Sequence, residues 1–353
     1  MGSTPLVETT RGGSRESLHH GAVAVVDAAG RLRYRAGDPD LRLFLRSSAK
    51  PLQAIPVIES GAADTLGLTD RELAVVCGSH AAEPMHVAAV RSILSKAGLD
   101  DGFLQCGAHP PFDAEQAALL AHAGQAPGPV HNNCSGKHAG MLAVCRVRGW
   151  PLDTYRSPEH PLQQEIAGII AVSCDAPQGA IGRGTDGCGV PTFHVTVAGL
   201  ALAFARLAGS VVTPGAVAPG RHGFGANGSS WKHAEAAKRL VGAMVAHPTM
   251  VSGTGRLNSV LMEALGDRLF AKTGAEAVFG IGLTAQGWGI GVKIEDGNNR
   301  GMGAAVLETL RQLELVSPSE LEVLASHHRP TIRNHEGRTV GEMRAVFTLE
   351  KVS

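Results

Sequence analysis

The chain has 353 residues, and its 32 lysines and arginines balance 32 aspartates and glutamates, so no net charge draws it to an anionic partner. Aromatic residues make up only 4%, which leaves little stacking surface for nucleic acid, while 44% hydrophobic residues suffice for a sizeable core. The apolar runs stay far short of the roughly 18 residues that span a bilayer, and residues 1–19 lack a secretory apolar stretch, so a membrane protein is disfavoured and a cytoplasmic one expected.

Along the chain, residues 1–18 read as a flexible N-terminal arm. Gly21–Val26, the turn Asp27–Gly30 and Leu32–Arg35 read as a hairpin. Pro51 suits the first turn of a helix, and the pattern to about residue 170 is mostly helical, with Leu73 and Val76, then Val87, Val90, Ile93 and Leu94, at helical spacing. Residues 177–193 are glycine-rich with little helical signal. Helices are expected over 195–208 and 232–246, with a surface loop over Pro214–Ser230 between them. Val278–Leu283 and Gly289–Ile294 read as two strands, followed by a helix over Asn299–Leu313 and a shorter one over Pro318–His327.

A hairpin, a long helical insert and a closing hairpin with its helix predict an α+β fold in which the first and last strands share one antiparallel sheet. The expected organisation is a single catalytic unit over residues 19–353. Its sheet lobe would draw on 19–46 and 270–353, and its helical and glycine-loop lobe on 47–269.

Several motifs carry possible chemistry. Ser47-Ser48-Ala49-Lys50 is an S-x-x-K, whose serine and lysine share a face when helical, so that a desolvated amine can take the hydroxyl proton. Lys272-Thr273-Gly274 lies beside a late strand. S-x-x-K near the start with K-T-G on a late strand is the pair of serine β-lactamases and penicillin-binding proteins. Asn132–His138 concentrates polar and reactive groups before a hydrophobic helix, where free N–H groups favour anions. Asp186-Gly187-Cys188-Gly189 adds a carboxylate and a thiol on a glycine-rich loop. Cys134 and Cys188, with Lys137 or His138, have the donor types of a zinc site, although two distant cysteines are commonly buried thiols.

Other signals fail their context. Gly182–Gly187 matches G-x-G-x-x-G, but Pro191 follows and no helix opens there. His80, Glu83 and His86 have the wrong spacing for H-E-x-x-H, so solvated or capping roles are expected. The six cysteines are scattered through a long chain, which favours free thiols in a reducing compartment.

Together these segments resemble the asparaginase II, or rhizobial-type, L-asparaginases. The carriers are Arg46–Pro51, Cys77–His80, Leu104–Gly107 with His109-Pro110, Asn132–Leu142, Asp186–Phe193, Lys272–Glu276 and Lys293–Gly297. The resemblance implies a serine β-lactamase-like fold, an antiparallel sheet flanked by helices plus a helical lobe. It also implies two Ser-Lys tandems, Ser47 with Lys50 and Ser79 with Lys272. Cys134, Lys137 and Cys188 match a family zinc site, and Arg46, His138 and Asp186 match positions near the substrate. Ala81-Ala82, Ala277 and the Pro214–Ser230 segment depart from the family pattern and bear on substrate fit. The implied function is release of ammonia from L-asparagine, without an organic cofactor, by a homodimer. The alternatives are a serine β-lactamase or peptidase, suggested by S-x-x-K and K-T-G alone, and a non-catalytic amino-acid or zinc sensor.

Overall fold

A computed structural model describes residues 2–177, 179, 181–211 and 231–352. The expected Pro214–Ser230 loop therefore lies outside the described residues. In chain order the strands are β1 (Thr4–Arg11), β2 (Ser14–Asp27), β3 (Leu32–Ala36), β4 (Arg42–Phe44), β5 (Gly182–Thr185), β6 (Pro191–Thr196), β7 (Leu269–Gly274), β8 (Val278–Leu283), β9 (Trp288–Ile294), β10 (Thr331–Arg333), β11 (Thr339–Ala345) and β12 (Glu350–Lys351). The helices are α1 (Lys50–Gln53), α2 (Ile55–Glu59), α3 (Ala62–Thr65), α4 (Asp70–Val76), α5 (Pro84–Lys96), α6 (Ala114–His122), α7 (Ser135–Arg148), α8 (Pro161–Ser173), α9 (Val197–Gly209), α10 (Ala234–Ala246), α11 (Pro248–Ser252), α12 (Leu257–Leu265), α13 (Met302–Gln312), α14 (Pro318–Val323) and α15 (Ala325–His328). Among the described residues no helix is long and apolar enough to cross a membrane.

Two compact units divide the chain. The first comprises Met1–Ser48, Val195–Ser230 and Val260–Ser353. Its sheet runs β10-β11-β1-β2-β9-β8-β7, with β3 paired to β2 and to β12. β2 and β9 are antiparallel, from Gly21 opposite Ile294 to Asp27 opposite Trp288, so the first and last hairpins do meet in one sheet. Side chains alternate across a strand. On β9, Gly289 and Gly291 face α9 so closely that a Cβ on Gly289 would sit 1.9 Å from Ala201 O, and one on Gly291 would sit 2.6 Å from Val197 O. On the opposite face Ile294 reaches Gly301, which precedes α13. The α+β class is as expected: an antiparallel sheet with helices against it.

The N-terminal arm is corrected. Residues 4–18 form β1 and the first part of β2, and β1 pairs with both β2 and β11. Leu6 and Val7 are fully buried, and the polar residue that disguised the strand, Glu8, is only 4% exposed. Arg15 Nε donates to its carboxylate at 2.7 Å and Arg344 Nε at 2.9 Å. The strand reads as polar in sequence because its charge is neutralised by residues both near and more than 300 positions away.

The second unit comprises Ala49–His194 and Trp231–Ser259. It is mostly helical, while α9 belongs to the sheet unit. α4 opens with a capping box, in which Thr69 accepts from Glu72 N and Glu72 accepts from Thr69 N. α7 is buried without a break from Ser135 to Cys145 and packs against α4 and α5. The glycine-rich stretch holds the hairpin β5–β6, with Gly182 opposite His194 and Thr185 opposite Pro191. The G-x-G-x-x-G segment thus lies largely in a strand, in keeping with its failed context.

Candidate active site

In the sheet unit, Arg46–Ala49 form a 3-10 turn that leads into α1, so S-x-x-K is not a single helical face. Arg46 has φ +49°, a left-handed backbone uncommon for a residue with a side chain. Ser48 N and Oγ both donate to Leu45 O, at 3.1 and 2.6 Å, and fix the turn that carries the half-buried Ser47. The glycine of K-T-G has a steric reason: a Cβ on Gly274 would come 2.8 Å from Leu45 O and 3.3 Å from Ser48 N. The end of β7 therefore lies against the backbone of the Ser47 turn. Lys272, two residues earlier, is fully buried, and its Nζ donates to Thr273 O at 2.7 Å.

In the helical unit, Lys50 is fully buried. Its Nζ donates to Gly78 O at 2.6 Å and Asn133 O at 3.1 Å, and lies 2.9 Å from Ser79 Oγ. Burial pushes its pKa below the ordinary lysine value; Cys134 and Cys188 oppose this and Lys137 reinforces it. The structure thus brings Lys50 to Ser79, a contact that joins the two expected tandems through their first lysine. Ser79 N donates to Val251 O at 2.8 Å, which fixes the segment on α11.

Asn132 builds the start of α7. Its Oδ1 accepts from Cys134 N at 2.8 Å, its carbonyl accepts from Ser135 N at 2.9 Å, and its Nδ2 donates to Cys106 O at 2.9 Å. Cys134 and Lys137, one turn apart, then face the loop that carries Cys188. Lys137 Nζ donates to Cys188 Sγ at 3.0 Å, and Asp186 Oδ2 lies 3.9 Å from that sulfur. Cys134 is held well below the ordinary thiol range, first by its hydrogen bond with Cys188 and, against burial, by Lys50 and Lys137. Cys188 is raised by the same hydrogen bond and by burial. Burial works to lower Lys137, but Cys188, Cys134 and Asp186 outweigh it and hold the ammonium raised. All six cysteines are buried.

Two sulfurs and one lysine nitrogen held together in a buried cluster, with a thiolate favoured, fit the donor chemistry of zinc once Lys137 gives up its proton to the incoming cation. Among the described residues no three His, Cys, Asp or Glu side chains converge as metal ligands, so a metal here depends on Lys137 as the third donor.

Two histidines correct the sequence reading. His80 and His86, expected to be solvated or capping, are fully buried, with rings stacked at 5.2 Å. His80 Nδ1 accepts from Ala82 N at 3.1 Å, and its Nε2 lies 2.8 Å from Ser135 Oγ, which donates to Val130 O. A ring whose Nδ1 is occupied as acceptor carries its proton on Nε2, so His80 ties the Ser79 segment to the first residue of α7. Sequence spacing gives no signal for this tie, because both partners are distant or backbone. His138 is also fully buried. Its Nδ1 lies 2.7 Å from the hydroxyl of Tyr155, a residue the motifs did not single out. Burial first, then the cations Lys137, Lys50 and Arg156, keep His138 neutral.

A serine beside a buried amine, near a helix start that favours anions, is an arrangement suited to acyl transfer. The chain belongs to the L-asparaginase II family, whose model matches residues 7–345. No curated protein sequence matches it. Among solved structures it is similar to native Mglu, with 15% identity over 85% of this chain and 66% of that chain and a TM-score of 0.46. It is also similar to a Bacillus glutaminase studied in 4.3 M NaCl, with 13% identity over 84% and 91% and a TM-score of 0.40. A third, the probable glutaminase ybaS, has 16% identity over 79% and 80% and a TM-score of 0.31. The chain spans just under two thirds of the Mglu chains, between 61% and 66% in the native and glutamate forms.

Proposed function

We propose that the chain hydrolyses the side-chain amide of L-asparagine to L-aspartate and ammonia. The observation that carries this reading is the buried Lys50 amine, 2.9 Å from Ser79 Oγ and lowered in pKa by burial. A neutral amine in such a place is a general base. Ser47, three residues before Lys50, attacks the amide carbon while its proton passes to Lys50. Lys50 returns a proton through Ser79 to the departing ammonia, and water then cleaves the aspartyl ester with the same amine as base. Lys272 is the second lysine of the reading. These roles for Ser47 and Lys272 come from the family resemblance. Asp186 takes the substrate α-amino group, and Arg46 and His138 its carboxylate.

Cys134, Lys137 and Cys188 would hold a zinc ion, which supplies fixed positive charge that shapes the substrate pocket. The Ser-Lys groups already provide the nucleophile, so the cluster's own contribution is to anchor the Asp186 loop to α7. A cytoplasmic homodimer belongs to the same reading, and sedimentation of the purified chain tests the dimer.

The test of function is ammonia release by the purified protein offered L-asparagine, L-glutamine and a β-lactam in parallel. Turnover of asparagine well above the other two supports the proposal. Hydrolysis of the β-lactam alone would favour the β-lactamase reading, and binding without ammonia the sensor. Asparagine and glutamine differ by one methylene, worth only about 1–3 kcal/mol of discrimination, so some glutamine turnover is expected.

A further inference from the structure

Tyr155 is fully buried, among the largest side chains wholly inside the protein. Its hydroxyl oxygen lies between two nitrogens. Gln105 N is 3.0 Å away and, as a backbone N–H, can only donate to it; His138 Nδ1 is 2.7 Å away on the other side. A phenol has one proton to give, and Nδ1 is the acceptor the structure offers it. With the phenol donating to Nδ1, the neutral imidazole must carry its proton on Nε2. The reverse arrangement would leave the phenol proton without an acceptor and the Nε2 lone pair bare, two unmade bonds in a buried place instead of one.

His138 Nε2 is buried and has no hydrogen-bond partner among the described residues. An unmade bond of this kind is costly in a buried place unless a ligand or water completes it. His138 follows Lys137 on α7, and Arg156, the residue after Tyr155, donates to Gln105 Oε1 at 2.8 Å. A free N–H in these cationic surroundings suits an oxygen anion.

We infer that Tyr155 is a positioning residue that locks His138 as its Nε2–H tautomer, so that this one atom is presented as a donor to a carboxylate oxygen of the substrate. Gln105 completes the device, because its backbone N–H occupies the phenol oxygen and orients the phenol proton towards the ring. The carboxylate ligand rests on the amidohydrolase reading; the tautomer does not.

The experiment is long-range proton–nitrogen NMR on the full chain labelled with ¹⁵N-histidine. Among the 16 histidines, the His138 signals are those lost in His138→Gln. The expected result, without ligand, is a bare Nδ1 and a protonated Nε2. On addition of L-aspartate the Nε2–H signal shifts. A proton on Nδ1 overturns the inference, as does an unmoved Nε2–H signal when calorimetry shows aspartate bound. Failure of aspartate and asparagine to bind at all overturns the amidohydrolase reading and the assigned ligand with it, while the ligand-free spectrum still judges the tautomer lock. In Tyr155→Phe the two tautomers should mix and KM for asparagine rise about tenfold, as for one lost hydrogen bond, with kcat changed less than about threefold. An unchanged tautomer and an unchanged KM in that variant overturn the positioning role. If Tyr155→Phe does not fold, the two wild-type spectra decide the question.

Discussion

At the scale of single residues, the cluster of Cys134, Lys137 and Cys188 makes a prediction separate from turnover. Lys137 Nζ is 3.0 Å from Cys188 Sγ, and Cys134 is disposed to be a thiolate, so both sulfurs and the amine belong to one charge-balanced group. Cys188→Ser should abolish zinc binding, measured by elemental analysis after purification without chelator, and raise KM more than it lowers kcat. Wild-type protein free of zinc under those conditions would make the cluster a set of packed thiols. Ser79→Ala removes the hydroxyl bonded to Lys50 and should lower kcat by about 10²–10⁴, the usual range for a lost proton-transfer group, with the thermal midpoint nearly unchanged. Loss of activity together with loss of fold would assign Ser79 a structural role.

Among the elements, the closest packing is α9 on β9. Gly289→Ala would drive a methyl group into the backbone of Ala201 and Ala205, so the strand or the helix must move. Overpacking of this kind costs about 1–3 kcal/mol, and more where backbone is the obstacle; a lower urea midpoint with an unchanged m-value is the expected readout. Glu308 on α13 contributes a pH-dependent term. Burial would raise its carboxyl, but Arg311, His328 and Gln312 outweigh that and bring its pKa to about 2. A folded pKa below the ordinary 4.5 means that the unfolded chain binds the proton more readily. The stabilisation is therefore complete above about pH 4.5 and lost as pH falls towards about 2. Glu308→Gln should flatten that part of the stability curve, and an identical slope in wild type and variant would contradict the assignment.

For the whole molecule, the periodic helices and the strands around Val23, Ile281 and Ile290 were legible because each buries an apolar pattern in a sheet or bundle. β1 was not, because Glu8 is balanced by Arg344 from the far end of the chain, and local sequence cannot show such a partner. The place of α9 in the sheet unit was hidden for a similar reason: it depends on glycines some 85 positions later that let the helix approach. Site residues carried by compact motifs, such as Asn132–His138, were found. The buried roles of His80 and Tyr155 have no such local signal, since their partners are backbone groups and distant side chains.

The central claim is that Lys50 acts as a neutral base, and the pH dependence of asparagine turnover tests it most directly. With chemistry rate-limiting, ammonia release should rise with pH and level off at an apparent pKa below the ordinary lysine value of 10.5, because burial disfavours the ammonium. Lys50→Met should remove that titration and nearly all turnover while the protein still binds L-aspartate. A profile flat from about pH 6 to 10, or a Lys50→Met variant within about tenfold of wild type, would contradict the account.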